Sequence, residues 1–169
     1  MRGTEEERPE KVRLGIEIMQ CLVKRETSLA DALDALIAVM LNGLAAKYGD
    51  RDEFFRFNEQ ASTFLGSTER DRAVVEVIPY PGSLAAKVQP KTVTTVGERS
   101  ERLWHLATEI GELLNKRRPS LGDGFDALSS AMVTAIEATC GRKRSDEFDL
   151  LIAEFAKEVS RFPEGGRVQ

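Results

Sequence analysis

The chain has 169 residues, 41% of them hydrophobic and 31% charged, a composition typical of a globular protein that buries a core. Its net charge of −4 and isoelectric point of about 5.2 argue against a protein drawn to nucleic acid by an overall basic field. Short apolar runs, an acidic N-terminal sequence and two well-separated cysteines predict a leaderless cytoplasmic protein with no membrane segment.

The sequence contains an internal repeat at an offset of 92 residues, the distance from Ser28 to Ser120. Residues 28–41 (SLADALDALIAVML) align with residues 120–133 (SLGDGFDALSSAMV), and half of the positions are identical. The apolar residues recur at helical spacing in both copies. The repeat therefore predicts an all-α, internally duplicated fold, in which two three-helix units form a pseudo-two-fold bundle around a shared core.

The repeat also predicts how the chain is organised. We expect a disordered N-terminus, a first unit, a connector, a second unit and a disordered tail, at 1–8, 9–66, 67–99, 100–162 and 163–169. The connector contains two runs rich in β-branched residues, 73–80 and 91–97, and Pro81-Gly82 between them is typical of a turn. We expect this connector to form either a short β-hairpin or an extended strap across the helices.

The second helix of each unit has the clearest boundaries. Ser28 and Ser120 are N-cap residue types, and each is followed three residues later by an aspartate. Gly49 and Gly141 follow the last apolar position and are typical of helix C-termini.

The other helices are less sharply defined. The third helix of unit two is expected to begin near Ser145–Asp146, after an insertion loop. The first helix of unit one is apolar on nearly every side from Val12 to Val23, so we expect it to lie centrally or at a partner interface. Trp104 aligns with Val12, and we expect it to pack in the core.

Four acidic residues could carry metal chemistry. Glu109-x-x-Glu112 and Asp123-x-x-Asp126 lie on successive helices, and paired carboxylates suit Mg²⁺. This arrangement resembles the motifs of the all-helical nucleotide pyrophosphatases, which implies a Mg-dependent phosphohydrolase with these four residues as ligands. The sequence departs from that pattern, because the second pair begins with Asp rather than Glu, and unit one has Gln20 where unit two has Glu112. Helix capping accounts for Asp123 without any metal.

A basic cluster marks the start of the predicted insertion in unit two. Arg142, Lys143 and Arg144 are consecutive and are a candidate anion-binding site. The same residues suggest a nucleic-acid-associated regulator as an alternative function. Against it, the first turns of the helix that would enter a DNA groove carry Asp31 and Asp34, and these acids would repel phosphates.

One apolar residue is a candidate partner contact. Phe55 lies off the apolar stripe of its helix and aligns with Asp149, so it is either a partner contact or the edge of that stripe. His105 is the only histidine, which argues against a zinc site or a Ser-His-Asp triad.

We therefore expect a non-enzymatic helical protein-interaction or assembly module, such as a small regulatory or adaptor protein. It would bind a protein partner or itself, and would use no catalytic residue, metal or cofactor. The nucleic-acid-associated regulator and the Mg-dependent nucleotide phosphohydrolase are the two alternatives.

Overall fold

A computed structural model, which describes residues 10–77 and 96–163, is all-helical, as the sequence predicts. Within these two ranges there are six helices and no strand. The helices are α1 (Glu10–Lys24), α2 (Leu29–Tyr48), α3 (Asp52–Val77), α4 (Val96–Arg117), α5 (Leu121–Cys140) and α6 (Arg142–Ser160).

The predicted boundaries of α2 and α5 are confirmed. The Oγ atoms of Ser28 and Ser120 accept hydrogen bonds from the backbone N–H three residues later, at 3.2 and 3.1 Å. Each bond satisfies one of the amide groups that a helix N-terminus leaves free. At the other ends, Gly49 and Gly141 have φ angles of 77° and 92°, a backbone region that side chains with a Cβ atom disfavour.

The two halves of the chain share one hydrophobic core. Helix α1 packs mainly on α5 and α4, and α4 packs mainly on α2 and α1, so each first helix lies against the opposite half. Helices α2 and α5 also contact each other directly. Buried leucines and isoleucines from α1 and α4 point into this core: Leu14, Ile18, Leu22, Leu106 and Ile110.

Helices α3 and α6 meet along an aromatic seam. The rings of Phe57 and Phe155 are stacked, with their centroids 4.2 Å apart and an interplanar angle of 14°. Phe64 and Phe148 lie 5.1 Å apart further along. Because the early residue of α3 meets the late residue of α6, the two helices run antiparallel. The seam joins the third helices of the two halves.

Three helices extend beyond their predicted limits. Helix α3 continues to Val77, through the start of the run 73–80 that was expected to be β-like, and α4 already begins at Val96. The expectation of a β element is therefore wrong for residues 73–77, and residues 78–95 lie outside the described part of the chain, as do 1–9 and 164–169. Helix α6 begins at Arg142, directly after Gly141, so the inserted residues extend the helix and form no loop.

Helix α2 is long and apolar enough to cross a bilayer by length and composition alone. The central helix of a globular core meets the same criteria. Seven α2 residues are buried in this core: Ala32, Leu33, Ala35, Leu36, Ile37, Met40 and Leu44.

Candidate functional site

The helices α1, α5 and α6 enclose a groove of about 1010 Å³, which we call the α1 groove. Its α1 wall is mostly aliphatic and includes Val12, Gly15, Ile16, Met19 and Val23. Helices α5 and α6 add Phe125, Val133, Ile152, Ala153 and Ala156. The buried stripe of α1 points into the core, and this second stripe is left exposed: Val12 is 42%, Ile16 39% and Val23 71% accessible.

The rim of the α1 groove carries both signs of charge. Lys11 and Lys24 lie on the α1 side, and Asp126 and Asp149 lie on the opposite side. Lys11 pairs with Asp126 across the groove at 3.6 Å, between two half-exposed side chains. Such a pair is weak and easily exchanged for a pair with a bound molecule.

The α1 groove also contains an unsatisfied hydroxyl. The Oγ atom of Ser129 is buried and has no hydrogen-bond partner within residues 10–77 and 96–163. Ile37, its counterpart at the offset of 92, is only 3% exposed and fills the core. Leaving a buried polar group unpaired costs about 1–3 kcal/mol, so a donor or acceptor from a bound molecule would be stabilising here.

A second groove, of about 810 Å³, lies between α4, α2 and the first turns of α5. We call it the Trp104 groove. Its floor is largely aliphatic, with Leu44, Leu114, Leu121 and Leu128, and polar groups come from Asn42, Thr108, Asn115 and Arg118. Trp104 was expected in the core, but this expectation is wrong, because its side chain is 64% exposed at the groove. Phe125 borders both grooves.

The four acids of the proposed metal site have other neighbours. Glu109 accepts a hydrogen bond from Arg25 at 2.5 Å, and Asp126 pairs with Lys11. The backbone N–H of Asp123 donates to the N-cap serine, and Glu112 is exposed. Among the described residues, no group of three or more acids, histidines and cysteines is placed to hold a metal ion.

The predicted anion-binding residues form the first turn of α6. Arg142 and Lys143 are exposed, and Arg144 pairs with Glu147 at 3.1 Å while its guanidinium lies 5.7 Å from the ring of Phe64. Cations at this end of a helix face the positive end of the helix dipole.

Phe55, the predicted partner contact, is 66% exposed on α3, and it lines neither the α1 groove nor the Trp104 groove. The single histidine, His105, lies beside Trp104 and 3.7 Å from Glu101.

The thiol of Cys21 lies near Glu109 on the partly buried side of α1. Burial, then the negative charge of Glu109 and a hydrogen bond to it, raise the pKa of this thiol, whereas Lys24 and Arg25 lower it. A raised pKa keeps the thiol protonated and less nucleophilic.

The sequence alone did not predict either groove as a binding surface. The signal for the α1 groove was present, since the nearly all-round apolar pattern of α1 indicated a helix that packs on more than one side. No family model, curated protein or solved structure matches this chain.

Proposed function

We propose that this protein is a non-enzymatic, cytoplasmic protein-interaction module, and that its α1 groove binds an amphipathic helix of a partner protein. The observation that carries the proposal is the second aliphatic stripe of α1, exposed along a groove of about 1010 Å³. Scattered apolar residues are normal on a protein surface, but a contiguous apolar groove with a polar rim is typical of a binding site. Grooves of this kind bind amphipathic helices by their apolar face.

The dimensions of the groove suit a short helix. Its α1 wall runs from Lys11 to Lys24, a length of roughly 20 Å at the rise of an α-helix, which corresponds to between three and four helical turns. The two lysines on one side and the two aspartates on the other would pair with charges that flank the apolar face of the partner. The rim would thereby determine the direction in which the partner helix lies.

We also propose that the chain is an internal duplication, in which two three-helix units are related by a pseudo-two-fold axis. Two ion pairs support this relation. Arg25 pairs with Glu109, and Arg117 pairs with Glu17, both across the α1–α4 contact. The offset of 92 converts Arg25 to Arg117 and Glu17 to Glu109, so each pair is the reciprocal of the other. Reciprocal contacts are what an isologous dimer forms, and fusion of such a dimer would retain them.

The interaction can be tested with two matched variants. Ile16→Asp places a charge in the α1 groove, and Leu150→Asp places one on an exposed aliphatic side chain that does not line this groove. Tagged protein of each kind is used to capture partners from cell extract, and the captured protein is then purified and titrated by calorimetry. We expect a partner that binds wild type and Leu150→Asp, and binds Ile16→Asp at least tenfold more weakly, since a buried unpaired charge is costly.

Light scattering on a size-exclusion column decides whether the partner is a second copy of the chain. In that case wild type is a dimer and Ile16→Asp is a monomer. The proposal is wrong if Ile16→Asp keeps every partner and the same mass, or if both variants lose the same partners.

A further inference from the structure

We propose that the Trp104 groove is a separate binding site for a small anionic amphiphile, a molecule with a long apolar chain and one acidic head group. Apart from Phe125, the residues that line this groove differ from those that line the α1 groove. Its volume, about 810 Å³, lies within the range of small-molecule sites. The inference is based on three properties of the groove: its lining, its charge and its length.

The lining differs from that of the α1 groove at corresponding positions. Trp104 and its neighbours on α4 correspond, at the offset of 92, to the residues of α1 that line the α1 groove. At the offset of 92, four aliphatic positions become aromatic, small or polar: Val12 to Trp104, Ile16 to Thr108, Met19 to Gly111 and Val23 to Asn115. A Cβ atom added to Gly111 would have no neighbour within 4 Å, and the same holds for Gly43 on the facing helix. The two glycines therefore leave the middle of the groove open.

The charge of the lining favours a ligand whose anionic group lies at one end of the Trp104 groove. Among the described residues that line the Trp104 groove, Arg118 is the only charged one, and it forms no ion pair within the described part of the chain. Asn115 lies one turn before Arg118 and offers an amide donor. A carboxylate would accept hydrogen bonds from both side chains. The mixed charges around the α1 groove have no counterpart here.

The length of the Trp104 groove favours a ligand with a long chain over a ligand with a compact ring. Trp104 and Asn115 both line the groove, and they lie roughly 17 Å apart along α4 at the rise of an α-helix. Aliphatic side chains, including Leu114 and Leu128, line the same groove. A ligand whose acidic head lies at Arg118 would therefore reach Trp104 only with an extended apolar tail.

The single tryptophan of the chain is a direct reporter for this site. Palmitate, below its micelle concentration, is titrated into the full-length protein while Trp104 emission is recorded. Two brominated palmitates fix the orientation, because bromine quenches indole fluorescence at close range. Bromine at the terminal carbon should quench Trp104 strongly, and bromine beside the carboxylate should quench it weakly. Equal quenching, the reverse order, or no binding would overturn the proposal.

Variants separate this site from adsorption at other apolar surfaces. Gly111→Leu fills the groove where the added Cβ meets open space, so the variant should fold and lose palmitate binding. Arg118→Gln should weaken palmitate binding about tenfold, because it removes a charged hydrogen-bond donor to the carboxylate. A tenfold change corresponds to the lower end of the range for the free energy of a hydrogen bond to a charged group. Ile16→Asp, in the α1 groove, should bind palmitate as wild type does.

A cationic detergent of the same chain length tests the role of charge, and should bind wild type much more weakly than palmitate does. Palmitate binding that survives Gly111→Leu, or is lost in Ile16→Asp, would overturn the proposal. So would equal affinity for the cationic detergent.

Discussion

The shared core predicts that damage to one half of the chain destabilises the other half equally. Ile18 on α1 and Ile110 on α4 are both fully buried, and they correspond at the offset of 92. Replacing either with alanine removes three methylene equivalents at about 0.8 kcal/mol each, a transfer loss of about 2.4 kcal/mol. The cavity that remains raises the expected cost to about 3–4 kcal/mol. For a chain of this length the melting temperature should fall by about 6–16 °C.

The two cysteines provide a readout in each half. Cys21 lies on α1 and Cys140 at the end of α5, and both are partly buried. Thiol labelling followed through a urea titration gives an unfolding midpoint for each site. In Ile18→Ala both midpoints should fall together, and Ile110→Ala should lower both by a similar amount. Leu150→Ala, at an exposed position, should change stability by no more than about 0.5 kcal/mol.

A different response of the two cysteines would contradict the shared core. If Ile18→Ala lowered the Cys21 midpoint and left the Cys140 midpoint unchanged, the two halves would unfold as independent domains. The packing of α1 on α5 and α4 would then contribute little to stability, and the account of one shared core would be wrong.

Four further substitutions test local parts of the structure. Gly111→Ala should stabilise the protein by up to about 1 kcal/mol, because the new Cβ atom meets open space within a helix. Gly141→Ala should destabilise the protein, because the φ angle of 92° at this position disfavours a residue with a Cβ atom. Equal effects of the two substitutions on the free energy of unfolding, measured in urea, would contradict this. Ser120→Ala should cost about 1 kcal/mol through loss of the N-cap of α5, measured the same way, and an unchanged midpoint would argue against that cap. Glu109→Gln should speed alkylation of Cys21 at mildly alkaline pH, read by peptide mass spectrometry, because it removes a charge that raises the thiol pKa; slower alkylation would contradict that cause.

The raised pKa of Cys21 also sets the direction of a pH effect on stability. The folded state favours the protonated thiol, so this contribution is complete below the pKa of the unfolded chain. It decreases as the pH rises from there through the raised pKa of the folded chain. Alkaline pH should therefore destabilise the wild type more than Cys21→Ala.

Features with local chemical signals could be predicted from the sequence. The N-cap serine Ser28 and the C-terminal glycine Gly49 bracket an apolar pattern, and both ends of α2 were predicted correctly. Residues 73–77 were expected to be β-like because they are rich in valine, and they are helical. Strand propensity depends strongly on what a segment packs against, so a short β-branched run is weak evidence when it continues an established helix.

The candidate sites depend on packing that no single segment specifies. Trp104 was assigned to the core because it aligns with Val12, yet both positions are exposed. Because Val12 is itself exposed, its alignment with Trp104 was no evidence that Trp104 is buried. The α1 groove is formed by one helix of the first half and two helices of the second, and its depth is a property of that assembly. The sequence indicated only that α1 has apolar residues on more than one side.

Site-specific photocrosslinking tests the central claim, that the α1 groove binds a partner helix, most directly. The photoreactive residue p-benzoylphenylalanine replaces Val23 in the groove or, as a matched control, Leu150 outside it; the two native side chains are 71% and 69% exposed. Illumination in living cells should give a defined adduct from position 23, mapping to an amphipathic helix of one protein, and no such adduct from position 150. Equal adducts from both positions, or none from position 23, would contradict the account.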